Sequence, residues 1–462
     1  MSVAKPTKPT TLNAVIVLPG IMGSELEDET GTLVWGLNPR LWARDWLTDA
    51  LPKLRPTEEE LAGKPRLRPT RLLRAPAWLP VLRGLEPYTE MLRRAQAAAH
   101  PDHPGAVAEF PYDWRMPINH NAKLLVRFAT RHLENWRAVV KRENLGDKTE
   151  SRLVIIAHSM GGLIARYACR VLELDAELAD VITLGTPFFG SLNALETMAS
   201  GTARVLLPRD PVRELVLGCP GVYDLLPRYR CVADGAGIRS LTVDDVTAIG
   251  GCRKFAVDAA ARWEELELTH PDPKGSVWRN MCAILGWRQP TWQSVVIDAG
   301  SCQFLASLDG KDESGDSTVY EGAASPMPAS PREINTVAVA QKHGALMRDE
   351  AALTQVEHRL VGTITGPPMG AGEIGADIPD LIPAGTPPVI AVTATDGEPG
   401  HAHVSSTELS TGQFTRWHFL RREGDRALFI GRVLPAGLHR VEAHGGTASP
   451  VSDLMMVSED KP

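Results

Sequence analysis

Residues 152–172 read RLVIIAHSMGGLIARYACRVL. Leu153 to Ala157 is an unbroken apolar run, the pattern of a buried parallel strand. From Leu163 onward the apolar residues fall at Leu163, Ile164, Tyr167, Ala168, Val171 and Leu172, which is one face of a helix. Between the two lies Ala157-His158-Ser159-Met160-Gly161, a serine with a small residue two positions to either side. A strand that turns sharply into a helix strains the backbone of its central residue, so those flanking positions must be small. Ser159 is therefore expected to project from the top of the sheet as a nucleophile. The backbone N–H of Met160 is expected to point into the same space. Ala157 stands where the G-x-S-x-G pattern has its first glycine, and alanine is still small enough.

The chain of 462 residues can bury one large core and carry a second domain besides. Its 43% hydrophobic and 23% charged residues are ordinary for a globular protein. A net charge of −7 argues against nucleic acid as a partner, and no basic run is dense enough for electrostatic docking to a membrane. The opening MSVAKPTKPTTLN has lysines without the apolar stretch of a signal peptide, and no apolar run approaches a membrane span. The expectation is a cytoplasmic protein, with a peripheral membrane contact left open. Six cysteines are scattered without metal-ligand spacing, so reduced thiols, no metal and no cofactor are expected. The wealth of Ala, Arg, Gly and Pro fits a GC-rich bacterial genome.

Read in order, Ala14 to Leu18 is the first strand, and it empties into Pro19-Gly20-Ile21-Met22-Gly23. Acyl transfer passes through an oxyanion that needs two N–H donors, and a loop after an early strand supplies one of them in a serine hydrolase of this topology. Ile21, directly after the Pro-Gly turn, is assigned that donor, with Met160 as the other. Residues 35–86 have no strand-helix rhythm and read as a cap insertion, with Trp35, Trp42, Trp46 and Trp78 expected to be buried. Helices are expected over 87–99 and 119–144, a strand over 106–110, and a structural pair between Asp113 and Arg115. Val181 to Gly185 adds a strand, and strand-helix-strand at this spacing makes a parallel sheet. Residues 187–290 lose the rhythm again and read as a lid, the place for a cover that excludes water. Ser294 to Ile297 is expected to resume the sheet, Asn335 to Ala340 to close it, and a helix to follow over 346–359. A Gly- and Pro-rich linker is expected over 361–388. Beyond it, 389–462 reads as short alternating strands, a β-sandwich of immunoglobulin-like size. Few contacts are expected between the hydrolase domain, 1–360, and this β-domain.

A serine hydroxyl needs a base to take its proton, and the base needs an acid to fix its tautomer. In this topology they follow in the order Ser, Asp or Glu, His. His343 lies on a loop after the last expected strand, whereas His358 sits within a helix and His401, His403, His418, His439 and His444 belong to the β-domain. For the acid, Asp316 is favoured because Gly315-Asp316-Ser317-Thr318-Val319 is a compact turn. Asp298, at a strand end, comes second and Asp309 third.

The stretches VIVLPGIMGSELE, PYDWR, AHSMGG, ITLGTPFFGS, PGVYDLLP, GDSTV and QKHGAL, in this order, resemble the lecithin:cholesterol acyltransferase-like lipases and phospholipases. The resemblance runs from about Ala14 to Leu360 and leaves the β-domain outside. It implies an α/β-hydrolase fold with a triad of Ser159, Asp316 and His343 and oxyanion donors at Ile21 and Met160. The family's GDGTV is GDSTV here, which leaves the aspartate in place. The signal and the disulfide-closed lid of its secreted members are not found. The expected function is a serine hydrolase of lipid carboxylic esters. Transfer of the acyl group to an alcohol, or action on a soluble ester or thioester, is the alternative. A non-catalytic scaffold is the last reading, and the β-domain is expected to bind a protein or glycan.

Overall fold

The computed structural model describes residues 10–36, 51–73, 88–100, 102–146, 151–201, 209–235, 237–268, 281–298, 300–326, 336–362, 374–379, 381–394, 402–409, 411–424, 426–445 and 450–458. Trp42, Trp46 and Trp78, named above, lie outside them.

Six parallel strands form the central sheet, in the order Thr336–Val339, Met281–Gly286, Leu178–Leu184, Leu153–His158, Ala14–Leu18, Val107–Glu109. Ala14–Leu18 and Leu153–His158 are buried at every position, as a strand covered on both faces must be. Helices flank the sheet in packed pairs: Ile118–Glu143 with Met160–Arg170, and Thr89–Ala99 with Glu350–Leu360. In the longest of them, Ile118, Ala122, Leu125, Ala129, Leu133, Trp136 and Val140 are buried, steps of three and four that trace one helical stripe. Asn144 ends it in the left-handed conformation, φ 54°. This layered sheet is the α/β-hydrolase fold.

Three sequence expectations are corrected here. Met281–Gly286, inside the stretch read as a lid (187–290), is a strand of the central sheet, between Leu178–Leu184 and Thr336–Val339. Its MCAILG carries few β-branched residues, so the run lacked the usual strand composition although all six residues are buried. Ser294–Asp298 does not resume that sheet. It pairs with Ser301–Leu305 and Arg230–Ala233 in a separate four-stranded sheet, completed by Ile238–Ser240. Its outer half is partly exposed, as suits a strand outside the central layer. Within 35–86, Arg68–Leu72 joins Ser24–Glu27 and Leu33–Trp35 in a small three-stranded sheet, and Trp35 is buried.

The third correction concerns the linker. Ile374–Asp377 and Leu381–Pro383 are strands of the all-β region, so the β-domain begins before residue 389. It has two sheets. One holds Ile374–Asp377, Val389–Ala394, Arg426–Ile430 and His418–Glu423 in that order. The other holds Leu381–Pro383, Val451–Ser458, Gly437–His444, His403–Glu408 and Phe414–Arg416. Between them Ile390, Val404, Trp417, Phe429, Val441 and Met455 form one apolar core. Hydrogen bonds and an ion pair cross between the β-domain and the hydrolase layers.

Candidate active site

Ser159 sits at the end of Leu153–His158 with φ 50° and ψ −123°, a conformation that non-glycine residues rarely hold. The surroundings over-determine it. The Ser159 N–H donates to the Leu184 carbonyl at 2.9 Å, and its own carbonyl accepts from the Gly162 N–H at 2.9 Å and the Thr186 hydroxyl at 3.1 Å. Gly161 allows the close approach: a Cβ there would stand 2.5 Å from the Pro19 carbonyl oxygen. That contact explains the small residue demanded two positions after the serine.

His343 and Asp316 meet Ser159 from two loops beyond the sheet. His343 Nε2 lies 2.9 Å from Ser159 Oγ, and Nδ1 lies 2.7 Å from Asp316 Oδ2. A carboxylate only accepts, so Nδ1 carries the proton and the Nε2 lone pair faces the serine hydroxyl. Asp316 is fully buried, and its other oxygen accepts from the N–H groups of Thr318 (2.9 Å) and Val319 (2.7 Å). The backbones are tied as well, with the His343 N–H donating to the Asp316 carbonyl at 2.7 Å. Asp298 and Asp309 are exposed and take no part in this arrangement.

The two expected oxyanion donors flank the serine. Met160 is the first residue of an eleven-residue helix, where the early N–H groups lack intrahelical partners and the dipole is positive. Ile21 is a central residue of the turn closed by the Gly23 N–H to Gly20 carbonyl bond of 3.0 Å, with Met22 next at φ 61°. That bond does not use the Ile21 N–H. The turn presses on the elbow, since a Cβ on Gly20 would lie 3.0 Å from Ser159 Cβ.

Sequence reasoning missed His158 and Tyr88. The Tyr88 hydroxyl accepts from the Gly20 N–H at 2.8 Å and lies 3.1 Å from His158 Nδ1. His158 Nε2 lies 3.3 Å from the His343 carbonyl oxygen, so Nε2 carries the proton and Nδ1 accepts from Tyr88. Burial, with the neighbouring His343 adding to it, pushes the His158 pKa down to about 3. This neutral imidazole links the Gly20 turn to the backbone of His343. The available signal was a histidine ending a fully apolar strand, which calls for buried hydrogen-bond partners.

Two motifs brace the site. Within PYDWR, Arg115 is buried between Asp113 (2.7 and 2.9 Å) and Glu60 (2.7 Å), which answers the expected Asp113–Arg115 pair and adds a third member. Beside it the Tyr112 hydroxyl donates to the Pro19 carbonyl at 2.9 Å. Within ITLGTPFFGS and the helix after it, the Ser191 hydroxyl donates to the Thr318 carbonyl and the Asn193 amide to the Ser317 carbonyl (3.4 Å). The segment after the elbow thus holds the acid loop. Among the described residues no three His, Cys, Asp or Glu side chains gather as metal ligands would, and no helix is long and apolar enough to cross a membrane.

Residues 88–242 match the family described as lecithin:cholesterol acyltransferase. The matched segment contains Tyr88, PYDWR, Ser159 and Met160, and stops short of Asp316 and His343. A chain in the crystal structure of the Tle4-Tli4 complex is 15% identical, with a TM-score of 0.50, covering 78% of this chain and 99% of that one. The Bacillus licheniformis lipase BlEst2 in its propeptide form is 11% identical, with a TM-score of 0.37, covering 98% of this chain and 94% of the other. At such identity the first likeness is one of fold, and the second is too remote to argue from. No curated protein matches the sequence. The family match and the fold support acyl-ester hydrolase or acyltransferase chemistry of the α/β-hydrolase type. In its hydrolase fold, and in sequence over residues 88–242, the chain resembles the lecithin:cholesterol acyltransferase-like α/β-hydrolases.

Proposed function

We propose that the protein is a serine esterase acting on lipid carboxylic esters through an acyl-enzyme on Ser159. The observation that carries this is the hydrogen-bonded line from Ser159 Oγ through His343 to the buried Asp316, at 2.9 and 2.7 Å, on a strained elbow. In the first half-reaction His343 Nε2 takes the hydroxyl proton while Oγ bonds to the ester carbonyl carbon. The carbonyl oxygen becomes an oxyanion, which the N–H groups of Ile21 and Met160 stabilise. Asp316 stabilises the imidazolium. When the C–O bond to the alcohol breaks, His343 returns the proton to the departing oxygen. Water, activated by the same imidazole, then frees the acid and restores Ser159. The resemblance to the lecithin:cholesterol acyltransferase family supports a lipid ester, and in the transfer alternative an alcohol takes the place of water.

A fluorophosphonate probe should label Ser159, and lipid extracts incubated with the protein should yield free fatty acid, or a new ester if an alcohol is the acceptor. Ser159→Ala should abolish both labelling and product. Labelling elsewhere with product still formed by Ser159→Ala would overturn the proposal.

A further inference from the structure

Both loops that carry the partners of Ser159 are gripped from outside the hydrolase layers. On the histidine loop, Lys342, next to His343, pairs with Asp453 in the Val451–Ser458 strand, Nζ to Oδ2 at 2.6 Å, with both side chains nearly buried. Gln341 is buried and donates from Nε2 to the Pro450 carbonyl (3.3 Å) and to Asp349 (3.2 Å). Its Oε1 accepts from the N–H groups of Lys342 (3.0 Å) and Ser452 (3.4 Å). Arg348, on the far side of the loop, donates to the Ser452 hydroxyl at 3.3 Å.

The acid loop is held from the same domain. Gln289 bridges to Asp316 in a parallel pairing, its N–H donating to the Gly315 carbonyl at 2.8 Å. Its side-chain oxygen accepts from the Ala376 N–H at 3.4 Å, in the Ile374–Asp377 strand. A Cβ on Gly375 would stand 2.4 Å from the Arg288 carbonyl oxygen, so this strand lies hard against that backbone. Two strands from different sheets of the β-domain thus touch the supports of both the base and the acid.

We infer that the β-domain is a working part of the active site, whose clasp on Gln341 and Lys342 sets the position of His343 against Ser159. The inference rests on the reading of Ser159 and His343 as the reacting pair. Asp453, Lys342 and Gln341 are positioning residues, acting through the backbone of His343. A loop that strays by about 1 Å loses the aligned Nε2, and misplacement on that scale can cost roughly 100-fold in rate. A substrate already bound would be held as before. The signature is therefore a fall in kcat at unchanged KM.

The test uses the full chain and 4-nitrophenyl acetate, a small soluble ester. Asp453→Asn should lower kcat roughly 10- to 100-fold with KM unchanged and a cooperative melt retained. The exchange Lys342→Asp with Asp453→Lys should restore part of the loss. Val404→Ala, in the β-domain core two strands from Val451–Ser458, should lower Tm yet leave kcat within about twofold, because stability alone does not move the loop. Should Asp453→Asn fail to fold, Gln341→Met keeps the volume, drops the side-chain bonds and reads the same split. A folded Asp453→Asn or Gln341→Met with wild-type kcat would overturn the inference. So would a loss of kcat in Val404→Ala as deep as in Asp453→Asn. Ser159→Ala, run alongside, keeps the questions apart: activity surviving there sinks the reading of the reacting pair. Activity lost there but intact in Asp453→Asn sinks only the clasp.

Discussion

Replacing Asp316 by asparagine tests the site at its most constrained atom. One carboxylate oxygen faces two backbone N–H donors at 2.7 and 2.9 Å, and the other faces His343 Nδ1 at 2.7 Å. An asparagine fits there in two ways. With its NH₂ toward Thr318 and Val319, three donor groups crowd together in a fully buried site, which costs more than one lost hydrogen bond. With its oxygen toward those N–H groups, the NH₂ faces Nδ1, and Nδ1 must then give up its proton and accept. The proton moves to Nε2, which points at Ser159 Oγ and can no longer take the hydroxyl proton. The two N–H anchors select the second arrangement and with it the wrong tautomer. Such a tautomer costs about 10⁴ in kcat, or roughly 5 kcal/mol of transition-state stabilisation. Steady-state turnover of 4-nitrophenyl acetate reads the rate, and the fluorophosphonate labelling rate of Ser159 should fall in parallel. Asp298→Asn, at an exposed strand end, should leave both untouched. A folded Asp316→Asn with kcat within about tenfold of wild type would refute the tautomer argument.

Tyr88→Phe removes the hydroxyl shared by the Gly20 N–H and His158 Nδ1. Denaturant midpoints should show a loss of about 1–3 kcal/mol and turnover should drop, while an unchanged midpoint would leave that chain of bonds without energetic weight. His158 also sets a pH dependence. Its pKa falls from 6.5 in the unfolded chain to about 3 in the fold, so the unfolded state binds the extra proton. Its contribution is fully present above pH about 6.5 and drains as the pH falls toward 3, by about 1.4 kcal/mol per unit. Urea melts between pH 7 and pH 4 should therefore slope more steeply for wild type than for His158→Gln, and equal slopes would refute the assignment.

The elbow was legible because its constraint is local: strand, serine and helix lie within twenty-one residues, and the demand for a small residue is met where Gly161 nearly touches Pro19. His343 and Asp316 could be ranked from chain order and turn chemistry, and the fold brings both to the serine. What escaped depended on distance along the chain. Tyr88 and His158 are 70 positions apart, and Gln341 and Ser452 are 111 apart, with no periodicity to announce either bond. Met281–Gly286 escaped for a different reason. A short apolar run is ambiguous until its neighbours are known, and here both neighbours are strands on which the run depends for its hydrogen bonds.

The clasp also bears on timing. A polypeptide is made from its N-terminus, and Ser159, Asp316 and His343 all precede Pro450, Ser452 and Asp453. About a hundred residues must still be added after the histidine before its loop can be gripped, which at ribosomal speed is on the order of 5–20 s. During that interval a nascent chain holds every reacting group but not the contact that aligns them. Ribosome-arrested chains stopped before Pro450 should therefore react with a fluorophosphonate at Ser159 more slowly than chains extended past Asp453 and clear of the ribosome.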